Sequence, residues 1–457
     1  MSETAKPYLA RELAELVAGR TIDDLSKDSV AQVKRAILDQ FGCQLVASTL
    51  AWNQPARRIM TAVGGAREAT IVNTGEAVPA ANAAYVNAAY GHGAELDDYA
   101  NAAGAHTGAV VVPVAVALSE RGRRSGGDLI AAVSVGYDVS WALGTMMRHG
   151  LHHRGYHSHA VLTTFSAACT AAVLLGLDVQ QTEHAIGIAG SYASGTMEYD
   201  QSGGEVKRVH SAIAAQSGIQ SAMLAEAGLT GPAQIFEGRR GILRVLADFD
   251  APESAVLSVG RGEGVLGVGF KRYPITASQH TPVALLTHLL EAENLTVGDI
   301  GRIDLDLAPA LLLHIGTIYE PREAIQAQFS LAYSLAVRAV HHSNDLSFYE
   351  NPSAWRDPAV LDLAKRIQFH ADPDATNDKY CGEMRVTLTN GRVRKISPAE
   401  ITDIHQVSTA DLESKYRTLS TVVLSDERSQ ALLDGVNALE DCPDVSALCA
   451  LLVSDRK

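Results

Sequence analysis

Small side chains at helical spacing dominate the first two-thirds of the chain. Alanine-rich stretches cover Ala80–Ala89, Ala131–Ala142, Ser166–Leu177 and Ser211–Ala227. Side chains this small let helix axes approach closely. Upstream, Val33, Ile37, Leu38, Phe41 and Leu45 fall on one helical face, with Asp28 and Ser29 placed to cap its start. The pattern predicts a bundle of buried helices with almost no sheet, Ala69–Val72 being the best short strand. With 457 residues, 47% of them hydrophobic and 20% charged, and a mean hydropathy of +0.03, the chain has core enough for two domains.

The character changes near Gly260. Arg302–Leu307, Ile367–His370 and Met384–Thr389 alternate as strands. Asn390-Gly391 separates Met384–Thr389 from Arg392–Ile396, the strongest local signal for a two-residue hairpin. Helical stretches over Pro282–Glu291 and Gln326–Ala339 interleave with these strands. The tail returns to helix over Arg428–Leu439 and Val445–Val453. The fold class is therefore mainly α: a large all-helical domain over residues 1–265 and 400–457, plus a smaller α+β domain over 266–399.

Charge narrows the partners. Lys and Arg number 38 against 52 Asp and Glu, a net charge of −14. No Lys/Arg-rich run is present, which argues against nucleic acid and anionic membrane. The longest nearly apolar run, Gly108–Leu118, is broken by Pro113 and falls well short of the ~20 residues a membrane helix needs. The N-terminus lacks the apolar core of a signal peptide. Five cysteines without a CxxC pair read as reduced thiols. Together these predict a cytoplasmic protein.

Nine of the 16 histidines lie between residues 92 and 210. The densest stretch is His92-Gly-Ala-Glu95-Leu-Asp97-Asp98-Tyr99, followed by His106. Carboxylates and imidazoles sharing a pocket shift each other's pKa toward neutrality and can serve as acid and base. The same groups could hold a metal, although no HExxH or similarly spaced pair occurs. The structural alternative is that Asp97 and Asp98 cap a turn and His92 is a satisfied core group. A second cluster, Arg154-Gly-Tyr-His157-Ser-His159, precedes an Ala-rich helix whose start suits a carboxylate ligand. Surface histidines are the plainer reading there. Finally, Lys207-Arg208-Val-His210 and Lys271-Arg272-Tyr273-Pro274, with His280 downstream, follow glycine-rich turns. Such Lys-Arg pairs are otherwise solvated faces.

Taken in order, these segments resemble the MmgE/PrpD family, a group of dehydratases, decarboxylases and epimerases. Its His-x-x-Asp-Phe-Asp-Asp-Thr motif and the following His are similar to His92–Tyr99 and His106. Its aromatic-His motif matches Tyr156-His157, and its Lys-x-x-His motif matches Lys207–His210. Lys-x-Tyr-Pro matches Lys271–Pro274, and Ala-x-Phe-Ser-x-x-Tyr matches Ala327–Tyr333. The resemblance implies a helical domain built from both chain ends, a homodimer, a small carboxylate substrate, and no metal or organic cofactor. It further implies an active site between the domains, made of Glu95, Tyr99, His106, His157, Lys207, Lys271 and Tyr333, with Asp98, Arg208, Arg272 and His280 contacting substrate. In that scheme Lys207 and Lys271 neutralise carboxylates, His106 or His157 is the base, and Tyr333 or Tyr99 supplies a proton.

The implied activity is a lyase dehydrating or decarboxylating a small di- or tricarboxylate by proton transfer next to a carboxylate. An epimerase of an iminodisuccinate-like dicarboxylate and a catalytically silent dimeric binding protein are the alternatives. Glu95 stands where the family commonly has Asp, Tyr99 where it has Thr, and Thr107 where it has Pro. These changes in reach and volume point away from the family's usual tricarboxylates.

Overall fold

Two helices, α1 (Leu9–Val17) and α2 (Lys27–Ala47), open the chain. Ser26 caps α2, its Oγ accepting the Ser29 N–H at 3.0 Å. The helix thus starts a turn ahead of the Asp28/Ser29 cap expected from sequence, because Ser26 supplies the acceptor that frees Ser29 to join the first turn. The computed structural model describes residues 7–249, 257–372, 381–401 and 407–456. It divides into two compact units: Met1–Tyr199, Glu205–Gly269 and Ser408–Lys457 make the first, and Asp200–Gly204 with Phe270–Val407 the second.

The first unit is a helical bundle, as the small-residue pattern predicts. After α2 come α3 (Gln54–Val63), α4 (Ala80–Gly93), α5 (Gly108–Gly122), α6 (Gly126–His153), α7 (Ser158–Leu175), α8 (Val179–Ala189) and α9 (His210–Glu226). Ala69–Thr70 and Ala77–Val78 form a two-strand ribbon. Helix α5 runs straight through Pro113. Val110, Val111, Val112, Val114 and Ala115 are fully buried around it, and burying side chains of the Val class stabilises by roughly 1.5–3 kcal/mol each, enough to offset the ladder bond that Pro forfeits.

Two helices, α6 and α7, are long and apolar enough to cross a bilayer by composition. The apolar-run argument misses them because isolated polar residues punctuate both. Each buries 83% of its most apolar stretch inside the unit, which is how a core helix of a bundle is built. From the tail, Thr409–Ser420 and Asp426–Asn437 complete this unit.

In the second unit, strands β1 (Ile300–Leu307), β2 (Ile367–Ala371), β3 (Met384–Leu388) and β4 (Val393–Ile396) form one sheet in the order β2-β1-β3-β4. Strands β1 and β2 are parallel, and the other two pairings are antiparallel. The β3–β4 hairpin turns at Asn390-Gly391, with Gly391 at φ +82°, a conformation that glycine adopts without strain. Ile303, Leu305, Val386 and Met384 of the sheet share a core with Leu285, Leu289 and Leu335 of two helices, His280–Ala292 and Leu331–His341. The single helix expected over Gln326–Ala339 is two helices. It breaks at Phe329-Ser330, where Ser330 Oγ accepts the Tyr333 N–H at 3.0 Å and starts the second one.

Candidate active site

Three helices of the first unit begin with histidine. His106 precedes the Thr107 cap of α5, His157 is the N-cap residue of α7, and His210 is the first residue of α9. Their rings gather with those of His92, from the end of α4, and His159. Ring centroids lie 5.1 Å apart for His92–His106, 4.8 Å for His92–His159, 5.2 Å for His157–His159 and 5.1 Å for His157–His210. A helix start presents unpaired N–H groups and the positive end of the dipole. Three of them around one imidazole cluster make the surroundings attractive to an anion and hostile to imidazolium.

The hydrogen bonds fix the protons. Lys207 ion-pairs with Glu95 and places Nζ 3.0 Å from His92 Nε2. An ammonium only donates, so His92 Nε2 carries a lone pair and its proton sits on Nδ1, given to Asp97 Oδ2 at 2.6 Å. His106 Nδ1 lies 2.8 Å from the carbonyl of Asp98, which puts the His106 proton on Nδ1 and the lone pair on Nε2. His159 Nδ1 accepts the main-chain N–H of His106 at 3.2 Å, and its Nε2–H donates to Ser211 Oγ at 2.8 Å. His159 therefore holds the backbone that carries His106.

Burial lowers the pKa of His92, and the Lys207 charge adds to the effect. Burial also pushes His157 and His159 well below the usual imidazole range, reinforced by neighbouring imidazoles and Lys207. His210 is lowered to about 4, again chiefly by burial. His92, His157, His159 and His210 are thus held toward the neutral form beside one ammonium.

Beneath it lies a layer of buried carboxylates. Asp98 accepts from Tyr137 Oη at 2.9 Å, from the Gly108 N–H at 3.2 Å and from Gln40 Nε2 at 3.3 Å. A Cβ on Gly108 would lie 2.5 Å from both Asp98 Oδ1 and Tyr137 Oη, so only glycine fits at the start of α5. Burial and the charges of Asp97 and Asp39 raise the Asp98 pKa to about 7. Asp39 is satisfied by Lys415 of the tail, whose Nζ also donates to the carbonyl of Leu96, both at 2.6 Å. The tail thus clamps the loop that carries Glu95, Asp97 and Asp98.

Of the residues singled out in the sequence, Glu95, His106, His157 and Lys207 meet in this cluster, and Tyr99 is buried in the same unit. Asp98 faces the core, its oxygens accepting from Tyr137, Gly108 and Gln40, an arrangement that braces the site. Arg208 is buried, donates to the carbonyl of Gly93 and stacks 4.3 Å over Trp52. In the second unit Lys271 is fully buried and Arg272 exposed. His280 stacks on Tyr273 with ring centroids 5.6 Å apart, and Arg338 covers Tyr273 at 4.8 Å. Tyr333 donates its hydroxyl proton to the carbonyl of Phe348 at 2.8 Å, and burial raises its pKa. That makes it a weak proton donor for chemistry. Of the residues omitted from the sequence-based site, His92, His159 and His210 lie in the segments singled out above but were given no role, and Lys415 carried no signal in the sequence.

His92, Asp97 and His106 bring ligand-type atoms within 4.8 Å of one another, the one such group among the described residues. Both ring nitrogens of His92 are already engaged, one by Asp97 and the other by the Lys207 ammonium. A cation there would sit against that ammonium, so the donor set does not fit a metal.

A family model for the MmgE/PrpD N-terminal domain matches residues 11–254, and one for the C-terminal domain matches residues 273–441. The chain belongs to the MmgE/PrpD family. Curated relatives match along nearly all of their length. A cis-aconitate decarboxylase of Aspergillus terreus is 28% identical over 98% of this chain and 96% of its own. A cis-aconitate decarboxylase-like protein, oryM, of Aspergillus oryzae is 28% identical, covering 98% of each chain. The Homo sapiens cis-aconitate decarboxylase is 26% identical over 97% of this chain and 94% of its own. This MmgE/PrpD member is thus similar throughout to enzymes of the lyase type.

Proposed function

We propose that the protein is a lyase that decarboxylates cis-aconitate or a close tricarboxylate relative. The observation that carries this reading is the buried cluster of imidazoles and one ammonium at three helix starts, in a chain similar over its full length to cis-aconitate decarboxylases. The similarity to those relatives favours a tricarboxylate, against the reading of Glu95 and Tyr99.

The chemistry asks for what the cluster has. The carboxylate on the saturated arm leaves as CO2, and its bonding pair forms a new double bond to the central carbon. The electrons of the old double bond move onto the carbon beside the remaining terminal carboxylate, which then takes one proton. A trianion and a proton give CO2 and a dianion with a terminal methylene. Negative charge gathers on the terminal carboxylate before protonation, and each fixed donor aimed at it lowers the barrier by about 3 kcal/mol.

Lys207 and the helix-start N–H groups supply such donors. His106, with its lone pair on Nε2, receives a proton or a carboxyl hydrogen bond. His157 delivers the proton to carbon. Burial keeps His157 neutral in the free enzyme, and a bound trianion opposes that effect, so the imidazolium forms when substrate is present. Lys271 retains the carboxylate-binding role that its motif suggests. No metal or organic cofactor is needed, because side chains provide both charge and proton.

The test is incubation of the purified protein with cis-aconitate in D2O. One CO2 and one carbon-bound deuterium per turnover support the proposal. Water release from a hydroxy-tricarboxylate, or hydrogen exchange in a dicarboxylate without CO2, would replace it with a dehydratase or an epimerase.

A further inference from the structure

His157 and His210 meet through their Nδ1 atoms, 2.9 Å apart and buried. A hydrogen bond between two imidazole nitrogens needs one proton, so one ring donates and the other accepts. If both rings were cationic, two N–H groups would point at each other across that distance. The pair therefore holds at most one added proton.

The backbone anchors both partners. The His157 N–H donates to the carbonyl of Gly195 at 2.9 Å, and His210 sits at the first position of α9. The other groups facing His157 are His159 on its own helix, His92 from α4, Lys207 from the turn before α9, and the edge of Tyr199, 5.7 Å away between centroids. None of these gives His157 Nδ1 the acceptor that His210 does.

We propose that His210 is the positioning residue of His157: it accepts the Nδ1–H of His157 throughout turnover and so keeps His157 Nε2 as the atom that carries the mobile proton. The role of His157 rests on the decarboxylase reading; the proton arrangement does not. When Nε2 gains a proton, the bond to His210 becomes charge-assisted and strengthens. When Nε2 gives that proton to carbon, His157 returns to the neutral Nδ1–H form and the bond persists. His210 changes neither its proton, on Nε2, nor its orientation. A carboxylate in its place would orient His157 equally well but would add a negative charge to a site that receives a polycarboxylate. A neutral acceptor avoids that repulsion.

Two measurements test this. In protein labelled with nitrogen-15 histidine and free of substrate, His157 Nδ1 should be of the protonated type and His210 Nδ1 of the unprotonated type. The reverse assignment, or two Nδ1 atoms of one type, overturns the proposal whether or not the protein turns over cis-aconitate. For activity, His210→Ala should lower kcat about tenfold or more with KM within about twofold. His210→Asn, whose side-chain carbonyl takes the place of Nδ1, should recover most of the loss. In a His157→Ala background His210→Ala should cost nothing further. An equal loss in both backgrounds, or no recovery with Asn, overturns the positioning role. Absence of cis-aconitate turnover in the unmodified protein would instead count against the decarboxylase reading.

Discussion

Lys207 spans two partners of unlike kind, a carboxylate at Glu95 and the lone pair of His92 Nε2 at 3.0 Å. All three groups are buried, and Glu95 is held at φ +56°, a left-handed backbone that glutamate seldom adopts. Ammonium, carboxylate and imidazole are thus balanced within the protein before any substrate arrives.

Removing the ammonium takes the ion-pair partner from the buried Glu95 carboxylate. Lys207→Met is expected to destabilise the protein by about 3–5 kcal/mol. The paired variant Lys207→Met with Glu95→Leu should regain much of that loss. Urea unfolding of the three proteins checks this; equal stability of the single and double variants would refute it.

Asp98 gives a pH dependence of definite sign. Its pKa is raised to about 7 in the fold, so between pH 4 and pH 7 the native state binds more protons there than the unfolded chain. Its contribution to stability is therefore greatest at low pH and is lost as pH rises toward 7. Asp98→Asn should remove this slope, so that relative to wild type the variant gains stability from pH 5 to pH 8, by about 2–3 kcal/mol. Unfolding midpoints at the two pH values measure it.

The tail clamp is separable from the chemistry. Burial alone would lower the pKa of Lys415, yet the charge and hydrogen bond of Asp39, with the nearby Cys43 and Asp97, together outweigh it and the net shift is upward. Lys415→Met is expected to cost about 3 kcal/mol or more. It should also speed amide hydrogen exchange over residues 94–99, whose loop loses the bond to the Leu96 carbonyl. Unchanged exchange there would show that the loop holds itself.

Gly144 of α6 is tightly placed beneath the loop leading to His106. A Cβ there would lie 2.2 Å from the carbonyl oxygen of Ala103. Gly144→Ala is expected to cost about 1–3 kcal/mol by pushing that loop away, and to lower activity with it. Thermal unfolding and turnover should therefore fall together.

Much of this architecture is legible in the residues. The Asn390-Gly391 turn fixes the hairpin because few other sequences reach that backbone, and the small-residue stretches mark helices that must pack closely. Ser330, the cap that divides Gln326–Ala339, is equally local, but the apolar period across it hides the break. The site is partly legible: His106, His157, Glu95 and Lys207 lie in motifs. The bond between Lys415 and Leu96 joins residues 319 apart in sequence, and the His157–His210 contact requires knowing that α7 and α9 start side by side. Periodicity reveals which face of a helix is buried, not which helix it meets. Asp98 and Arg208 show the opposite gap: a motif marks them as charged site residues, while their buried protein partners, Tyr137 and the Gly93 carbonyl among them, come into view only in the fold.

In the proposed reaction the clustered imidazoles carry the proton that replaces CO2. The most direct measurement is CO2 release from cis-aconitate by His157→Ala and His106→Ala, each first shown to be folded by its unfolding transition. A fall in kcat of about 10²-fold or more in His157→Ala, with a smaller loss in His106→Ala, is the predicted result. Release near the wild-type rate by folded His157→Ala would contradict it.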